Sequence, residues 1–287
     1  MYMPIEDLSA ILNQTPEELV RQADSHTRAV QAWLSSLAPA AACLDGIGVK
    51  ATSTGLPIPL LNLVLSGSYP PGTSDRIIVS EIEAIKAFFA ERNVPWYWWL
   101  GPNHQPLHLA QLLEQQGLVL DPPLLPAMIA PLPAPDIGLN GGLKVWLAAT
   151  RSDLEAASRI RHVAFRFPEG AGLDYFEAMA DNWLVENPGR LFLARVGDGP
   201  PAAIGALVEA NGLPGVYVMA TLPEWRRCGL GKAILSRILS EAANEGHRFV
   251  VLTASRLGYL LYQQFGFERV FDYTIYRPAL EGREAAG

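Results

Sequence analysis

Hydrophobic and polar positions in the C-terminal half alternate with two periods, close to two residues for strands and 3.6 for helices. Ile234, Leu235, Ile238 and Leu239 share one face of a predicted helix. The pattern predicts strands at 144–149, 191–196, 202–210, 216–222, 249–254 and 270–276, and helices at 152–163, 174–186, 229–244 and 257–264. Antiparallel strands followed by two βα units predict an α/β protein with a mixed sheet.

The N-terminal half opens with a long helical pattern over 15–37. Thr15 is a predicted N-cap, because Pro16 follows it at the first helical position and acidic residues occupy the first turn. Further elements are predicted as strands at 60–65 and 95–100 and helices at 80–92 and 107–116. Gly117 is suited to close the last of these helices, since glycine adopts the left-handed conformation of a helix C-terminus.

A proline-rich segment separates the two halves. Prolines at 131, 133 and 135 favour an extended backbone, and the glycine pair at 141–142 adds flexibility. The sequence therefore predicts a first domain at 1–130, a linker at 131–142, a second domain at 143–280 and a short tail at 281–287.

Composition narrows the class of protein. The 287 residues are 49% hydrophobic and 18% charged, which is enough apolar material for two cores. The net charge of −7 and the single small basic cluster around Arg226 and Arg227 argue against a nucleic-acid partner. Two cysteines, no signal-peptide pattern and no apolar run of membrane-spanning length predict a soluble cytoplasmic protein, a monomer or homodimer with no membrane partner.

The segment 218–233 carries the strongest chemical signal. A strand ends at Pro223, a loop with Gly229 and Gly231 follows, and an apolar-periodic helix begins at once. The first amides of a helix have no partner within the helix, and the helix dipole adds positive partial charge there. Glycines let an anion approach this backbone closely, so the loop is a predicted site for phosphate, above all pyrophosphate.

Two common nucleotide motifs do not fit this loop. A P-loop requires glycine at position 226 and serine or threonine at position 233, which are Arg226 and Ala233. A dinucleotide-binding fingerprint requires a small residue at position 234, which is Ile234. Another phosphate-containing ligand is therefore indicated.

The pattern Arg226-x-x-Gly229-x-Gly231 resembles the coenzyme A loop of the GNAT superfamily of acyl-CoA-dependent N-acetyltransferases. A second match follows in 252–267, where a strand, a short helix with Tyr262 and a Gly266-Phe267 pair occur in that order. The resemblance covers about 144–277 and implies the acyl-CoA N-acyltransferase fold, with acetyl-CoA as donor substrate and no metal.

The resemblance also implies roles for individual residues. The backbone of Met219, Ala220 and Thr221 would pair with the pantetheine arm, and Tyr262 stands at the position of the general acid. Ser255 stands where many members have a cofactor-contacting asparagine, although its side chain is shorter. The pyrophosphate would be bound by Arg226, Arg227, Cys228, Gly229, Leu230, Gly231 and Lys232.

The general base is less defined by the sequence. Glu209, near the end of the preceding strand, is the preferred candidate, with Glu224, Asp174 and Glu177 as rivals. Some relatives have a carboxylate at the position of Val250, and this chain does not. His104 and His108 have a spacing found in metal sites, but Pro106 lies between them and no third ligand is evident, so no metal is predicted.

The order of elements after residue 60 resembles the later part of the same fold. The segment 66–76 nevertheless lacks the R-x-x-G-x-G pattern, and the helix at 107–116 contains no tyrosine. The N-terminal half therefore resembles a degenerate GNAT lobe, so the expected architecture is two GNAT-like lobes of which the second is active.

These observations predict acetyl transfer from acetyl-CoA to the primary amine of a small molecule. The acidic net charge favours a cationic acceptor. Two alternatives stay open at this point. One is a non-catalytic acyl-CoA sensor, and the other is an acetyltransferase that acts on peptides or proteins.

Overall fold

The computed structural model describes residues 4–139, 141–185 and 189–279. The chain divides into two compact units, which are Met1–Pro39 with Pro126–Phe271, and Ala40–Leu125 with Asp272–Gly287. The helices are α1 (Ile5–Leu12), α2 (Pro16–Ser36), α3 (Asp75–Glu91), α4 (Leu109–Gln115), α5 (Arg151–Phe165), α6 (Ala180–Leu184), α7 (Leu230–Asn244) and α8 (Tyr259–Gln264). The strands are β1 (Ala42–Asp45), β2 (Lys50–Ser53), β3 (Asn62–Val64), β4 (Tyr97–Leu100), β5 (Leu118–Leu120), β6 (Leu125–Pro131), β7 (Leu143–Leu147), β8 (Gly189–Val196), β9 (Ala203–Ala210), β10 (Leu213–Thr221), β11 (Phe249–Thr253) and β12 (Glu268–Pro278).

The first unit is built on a sheet with the order β6-β11-β10-β9-β8-β7. Its neighbouring strands are antiparallel except β10 and β11, which are parallel. Helix α7 contacts β7 to β11, and its predicted apolar face lies in a core with Phe192, Leu207 and Val216. The mixed α/β sheet predicted from the sequence is therefore present in this unit.

The N-terminal segment of the chain belongs to this first unit. Helix α2 contacts β9, β10 and β11, and Leu19 and Ala23 are buried with Val251. The predicted cap of α2 is confirmed, because the Thr15 hydroxyl accepts from the Glu18 amide at 3.2 Å and the Glu18 carboxylate accepts from the Thr15 amide at 2.9 Å. This reciprocal pair satisfies two amides at the helix start.

The second unit has strands in the order β1-β2-β3-β4-β12, and β5 also pairs with β12. Helix α3 buries Ile78, Ile82, Ile85 and Phe89 against the aromatic strand residue Trp98. Strands β1 and β2 are short and have weak patterns, which explains why the sequence did not reveal them. The aromatic run 96–99 serves largely as core here, since Trp96, Trp98 and Trp99 are buried.

These units do not follow the predicted boundaries at 1–130, 131–142 and 143–280. Residues 4–39 pack with the C-terminal half, and β6, expected at the end of the first domain, pairs with β11 from Ala127 to Pro131. Strand β12 continues into the second unit, where Thr274–Tyr276 pair with β4. The predicted boundaries differ from the observed units because pairing between strands that are distant in the chain leaves no local pattern in the sequence. The predicted tail at 281–287 lies outside the described residues.

One predicted helix is also wrong in form. The pattern over 174–186 becomes a short 3-10 helix, Glu177–Met179, followed by the five-residue α6. Phe176 and Trp183 are buried and meet edge to face at 5.3 Å, so aromatic packing interrupts the regular helix. Glu186 lies outside the described residues. Among those that are described, none forms a helix of the length and apolarity that crossing a membrane requires.

Candidate active site

A bulge in β10 opens the sheet beside β11. The register between β10 and β9 shifts between Tyr217 and Ala220, and Val218 adopts a positive φ of 55°. In the described part of the chain, the parallel register of β10 with β11 comprises only the pair Gly215–Val251. Because Ala220 and Thr221 still pair with β9 on their other side, the edge of β10 that faces β11 offers backbone groups without a ladder partner.

The loop after β10 leads directly into α7. A 3-10 turn, Pro223–Trp225, precedes two residues of left-handed conformation, Arg227 with φ 67° and Gly229 with φ 88°. Gly229 is the N-cap of α7 and supplies no side-chain cap. The first bond within the helix runs from the Ala233 amide to the Gly229 carbonyl at 3.0 Å. The amides of 230–232 therefore have no partner within the helix, which suits the site to an anion.

The Arg226 side chain holds the loop in place. Its Nε donates to the Thr221 carbonyl at 3.3 Å, and its Nη2 donates to the Ala164 carbonyl at 3.4 Å. The loop is thereby tied to the end of β10 and to the last turn of α5. Arg226 thus acts on the shape of the loop, and both Arg226 and Arg227 are exposed. Cys228 is also exposed, and its thiol donates weakly to the Arg226 carbonyl at 3.7 Å.

Helix α8 lies against the start of α7. A β-carbon added at Gly231 would lie 3.3 Å from Cδ2 of Leu261, so the glycine permits this close approach. Ser255 precedes α8, and its hydroxyl accepts from the Gly258 amide at 3.3 Å. That bond occupies the hydroxyl in the turn before α8, while the residue as a whole is exposed.

Tyr262 is buried in α8, with 7% of its surface exposed. Its ring meets that of Phe267 edge to face at 5.7 Å. Burial raises the pKa of the Tyr262 phenol above its ordinary value, so the group keeps its proton at neutral pH. Within the described residues, the hydroxyl makes no hydrogen bond with the protein. A protonated phenol of this kind can donate to a ligand.

Glu209 lies in a different environment from the bulge. The β9–β10 register places it opposite Pro214, and the four residues from there to Val218 span about 13 Å of strand. Its carboxylate pairs with Arg190 at 3.1 Å, and Arg190 also pairs with Glu245 and Glu241. The structure therefore does not bring Glu209 together with the loop and the bulge.

The rival carboxylates lie on other elements of the first unit. Glu224 is exposed in the 3-10 turn after β10, Asp174 is exposed, and Glu177 is half-buried in the 3-10 helix before α6. Glu209, Glu245 and His247 also form a cluster of possible metal ligands, but Arg190 already supplies positive charge to both carboxylates.

Sequence reasoning missed two buried groups near these elements. Arg161 lies on the buried side of α5, and His26 lies in α2 with its Nδ1 3.0 Å from the Tyr217 hydroxyl. A signal for Arg161 did exist, because it follows Leu154 by seven residues and Ala157 by four. An arginine in the apolar stripe of a helix is a candidate for a special role.

Known proteins resemble this chain in domain sequence and in fold. Residues 187–269 match the family model of the acetyltransferase (GNAT) domain. A GCN5-related N-acetyltransferase from Kribbella flavida is 19% identical, with a TM-score of 0.65 and coverage of 88% of this chain and 95% of that one. One from Sphaerobacter thermophilus is 17% identical, with a TM-score of 0.62 and coverage of 82% and 81%.

A third solved structure is a tandem GNAT protein from the clavulanic acid biosynthesis pathway. It is 16% identical, with a TM-score of 0.59 and coverage of 89% of each chain. No curated protein matched the sequence. At these sequence identities, the structural similarity supports the fold of the chain and nothing more.

The fold and the matched domain are those of acyl-CoA N-acyltransferases. The chain carries a GNAT acetyltransferase domain over residues 187–269, so the predicted family is confirmed. The predicted fold class and the class of enzyme, an acyl-CoA-dependent N-acyltransferase, are confirmed with it.

Proposed function

We propose that the first unit transfers an acetyl group from acetyl-CoA to the primary amine of a small molecule, by direct attack in a ternary complex. One arrangement carries this proposal. A strand edge without a ladder partner, at Met219, Ala220 and Thr221, leads through a left-handed loop to the uncapped start of α7.

The donor would lie along this arrangement. The backbone of 219–221 would pair with the amides of the pantetheine arm, as a further strand would. The amides from Arg227 to Lys232 would hold the diphosphate, because left-handed residues aim successive N–H groups to one side. Lys232 is half-buried at this helix start and adds positive charge. Ser255 is the proposed contact from the start of α8.

The reaction would need two contributions from the protein. The amine nitrogen attacks the thioester carbonyl carbon, and a backbone amide of Val218 or Met219 at the bulge stabilises the oxyanion, an effect of about 3 kcal/mol per donor. The carbon–sulfur bond then breaks, the Tyr262 hydroxyl donates its proton to the leaving sulfur, and the second proton lost by the amine nitrogen passes through water to restore the Tyr262 phenol. At neutral pH the phenol carries the proton that this step requires.

The proton that the acceptor ammonium loses is proposed to pass to water. Glu209 is engaged by Arg190 and faces Pro214, so its geometry supports a structural role in the ion-pair cluster. This revises the expectation that Glu209 is the general base.

A screen of amines tests the proposal. Amino acids, polyamines, amino sugars and short peptides would be incubated with acetyl-CoA while free thiol release is followed. We expect turnover with at least one small amine and calorimetric binding of coenzyme A. Binding without turnover across the panel would support the acyl-CoA sensor, and turnover only with peptides would support a peptide acetyltransferase. The absence of coenzyme A binding would contradict all three functions.

A further inference from the structure

Arg161 is a buried cation enclosed by aromatic rings. Only 5% of its surface is exposed. The guanidinium carbon lies 4.1 Å from the centroid of the Tyr175 ring, 5.5 Å from that of Phe167 and 5.6 Å from that of Phe176. Such contacts attract the charge to the ring faces, but a ring face is not a full hydrogen-bond acceptor for the N–H groups of the guanidinium.

Among the described residues, Arg161 interacts with the Tyr175 phenol and with no carboxylate, and its buried Nη1 lacks a hydrogen-bond partner. Burial lowers the pKa of the guanidinium, and the Tyr175 phenol opposes this in part. Buried charges in proteins are ordinarily paired, because removing an ion from water is costly unless another group replaces the hydration. Arg161 is therefore a buried cation without the negatively charged partner that such a group ordinarily has.

Two of the surrounding aromatic residues are held in place by hydrogen bonds to other parts of the chain. The Tyr175 hydroxyl donates to the Leu34 carbonyl at 3.1 Å, and the Phe176 amide donates to the Ser158 hydroxyl oxygen at 3.0 Å. The aromatic site is thus held in shape by its neighbours. A rigid site with an unpaired cation is preorganised for a ligand with negative charge.

Helix α5 connects this site to the proposed donor site. The Ala164 carbonyl, which accepts from Arg226 of the loop, comes one turn after Arg161, or about 4.5 Å along the helix axis. The same helix packs on β9 and β10, the strands on both sides of the bulge register shift. Arg161 therefore lies on the element that joins the loop to the face of the sheet beside it.

We propose that Arg161 binds a carboxylate of the amine acceptor, so that the enzyme acetylates amines that also carry a carboxylate group. The inference rests on the proposed function. The planar guanidinium matches a carboxylate through two parallel hydrogen bonds. The diphosphate of the donor already has the loop amides, which leaves the anion at Arg161 to the acceptor. This replaces the cationic acceptor suggested by the net charge.

Matched pairs of acceptors test the proposal. Each pair consists of an amino acid and its amide, which share the amine and the side chain but differ in the negative charge. Thiol release from acetyl-CoA gives kcat/KM for both members. For the best pair we expect the acid to exceed the amide by 100-fold or more, because a site built for a polar group discriminates strongly against an analogue that lacks it.

Three variants separate recognition from folding. Arg161→Met keeps the length of the side chain and is expected to reduce the preference for the acid to within threefold, with an unchanged Kd for coenzyme A. Arg161→Lys keeps a charge but lacks the planar fork, so an intermediate preference is expected. Arg159→Met removes an exposed arginine of the same helix and should retain the full preference.

A binding measurement distinguishes failure of this inference from failure of the proposed function. In the presence of coenzyme A, the amino acid should raise the thermal midpoint of the wild-type protein and not that of Arg161→Met. If this holds while no pair releases thiol, the carboxylate site stands and the acetyl transfer does not. Equal effects of acid and amide on the wild-type protein would overturn the inference. Weaker coenzyme A binding by Arg161→Met would also overturn the inference, because it would show that Arg161 binds a negative group of the donor and not the acceptor carboxylate.

Discussion

The ring of Tyr262 packs against the α-carbon of Gly258, where an added β-carbon would lie 2.7 Å from Cε2 of the ring. Gly258→Ala should therefore displace the phenol while the backbone keeps its helical conformation. We expect kcat to fall at least tenfold, with coenzyme A affinity changed less than threefold, in assays of thiol release and calorimetry. Gly141→Ala is the control, since a β-carbon there meets nothing within 4 Å. Full activity in Gly258→Ala would contradict the role of this contact.

Tyr262→Phe tests the hydroxyl alone. The phenylalanine ring keeps the contacts with Phe267 and Gly258, so the fold should be unchanged. Loss of a general acid is expected to lower kcat by about 10²–10⁴-fold. The Kd for coenzyme A should stay within twofold. An unchanged kcat would show that the leaving thiolate needs no proton from this residue.

Gly229→Ala tests the loop that precedes α7. The φ of 88° is strained for any residue with a β-carbon, and we expect a loss of about 1–2 kcal/mol in unfolding free energy. The displaced amides should also weaken coenzyme A binding at least tenfold. Gly212→Ala is a matched control, because its φ is 74° and no atom lies within 4 Å of an added β-carbon. That variant should lose similar stability and keep its coenzyme A affinity.

Glu209→Gln distinguishes an ion-pair residue from a general base. The Glu209 side chain is 42% exposed beside Arg190, so its loss should cost less than about 1 kcal/mol of stability. We expect kcat to stay within threefold of the wild-type value across the pH range of the assay. A fall of 100-fold or more would restore Glu209 as the base.

Because His26 is buried, we expect the free energy of unfolding to depend on pH. Burial lowers the pKa of its imidazole to about 4, and the nearby backbone of Val208 and Leu213 opposes this in part. Between pH 6.5 and 4 the unfolded chain binds a proton at His26 that the folded chain does not. The free energy of unfolding should therefore fall by up to about 3 kcal/mol as the pH decreases through this window.

Denaturant unfolding at several pH values checks this effect. His26→Gln removes the titrating group, so its stability should fall less between pH 6.5 and 4 than that of the wild-type protein. His104→Gln, which removes an imidazole bonded to the Gly101 carbonyl, serves as the control variant. Parallel curves for the wild-type protein and His26→Gln would contradict the prediction.

Much of the local structure could be predicted because its causes are local. Thr15 and Glu18 form the capping box, and the apolar spacing of Ile234, Leu235 and Ile238 places α7. The strand, glycine loop and helix start around Gly229 also follow one another in the chain. Their order alone was enough to predict a loop of the GNAT type, and the family model matches the residues that contain it.

The division of the chain and the partners of buried polar groups depend on contacts that are distant in sequence. Strand β6 has the same backbone donors and acceptors whichever strand it joins, so no local pattern could assign it to β11. Likewise, the pairing of Glu209 with Arg190 and the aromatic enclosure of Arg161 exist only after separate elements pack together. The sequence alone could predict motifs formed by consecutive residues. The environment of each charged side chain was decided by the tertiary structure, because it depends on contacts between separate elements.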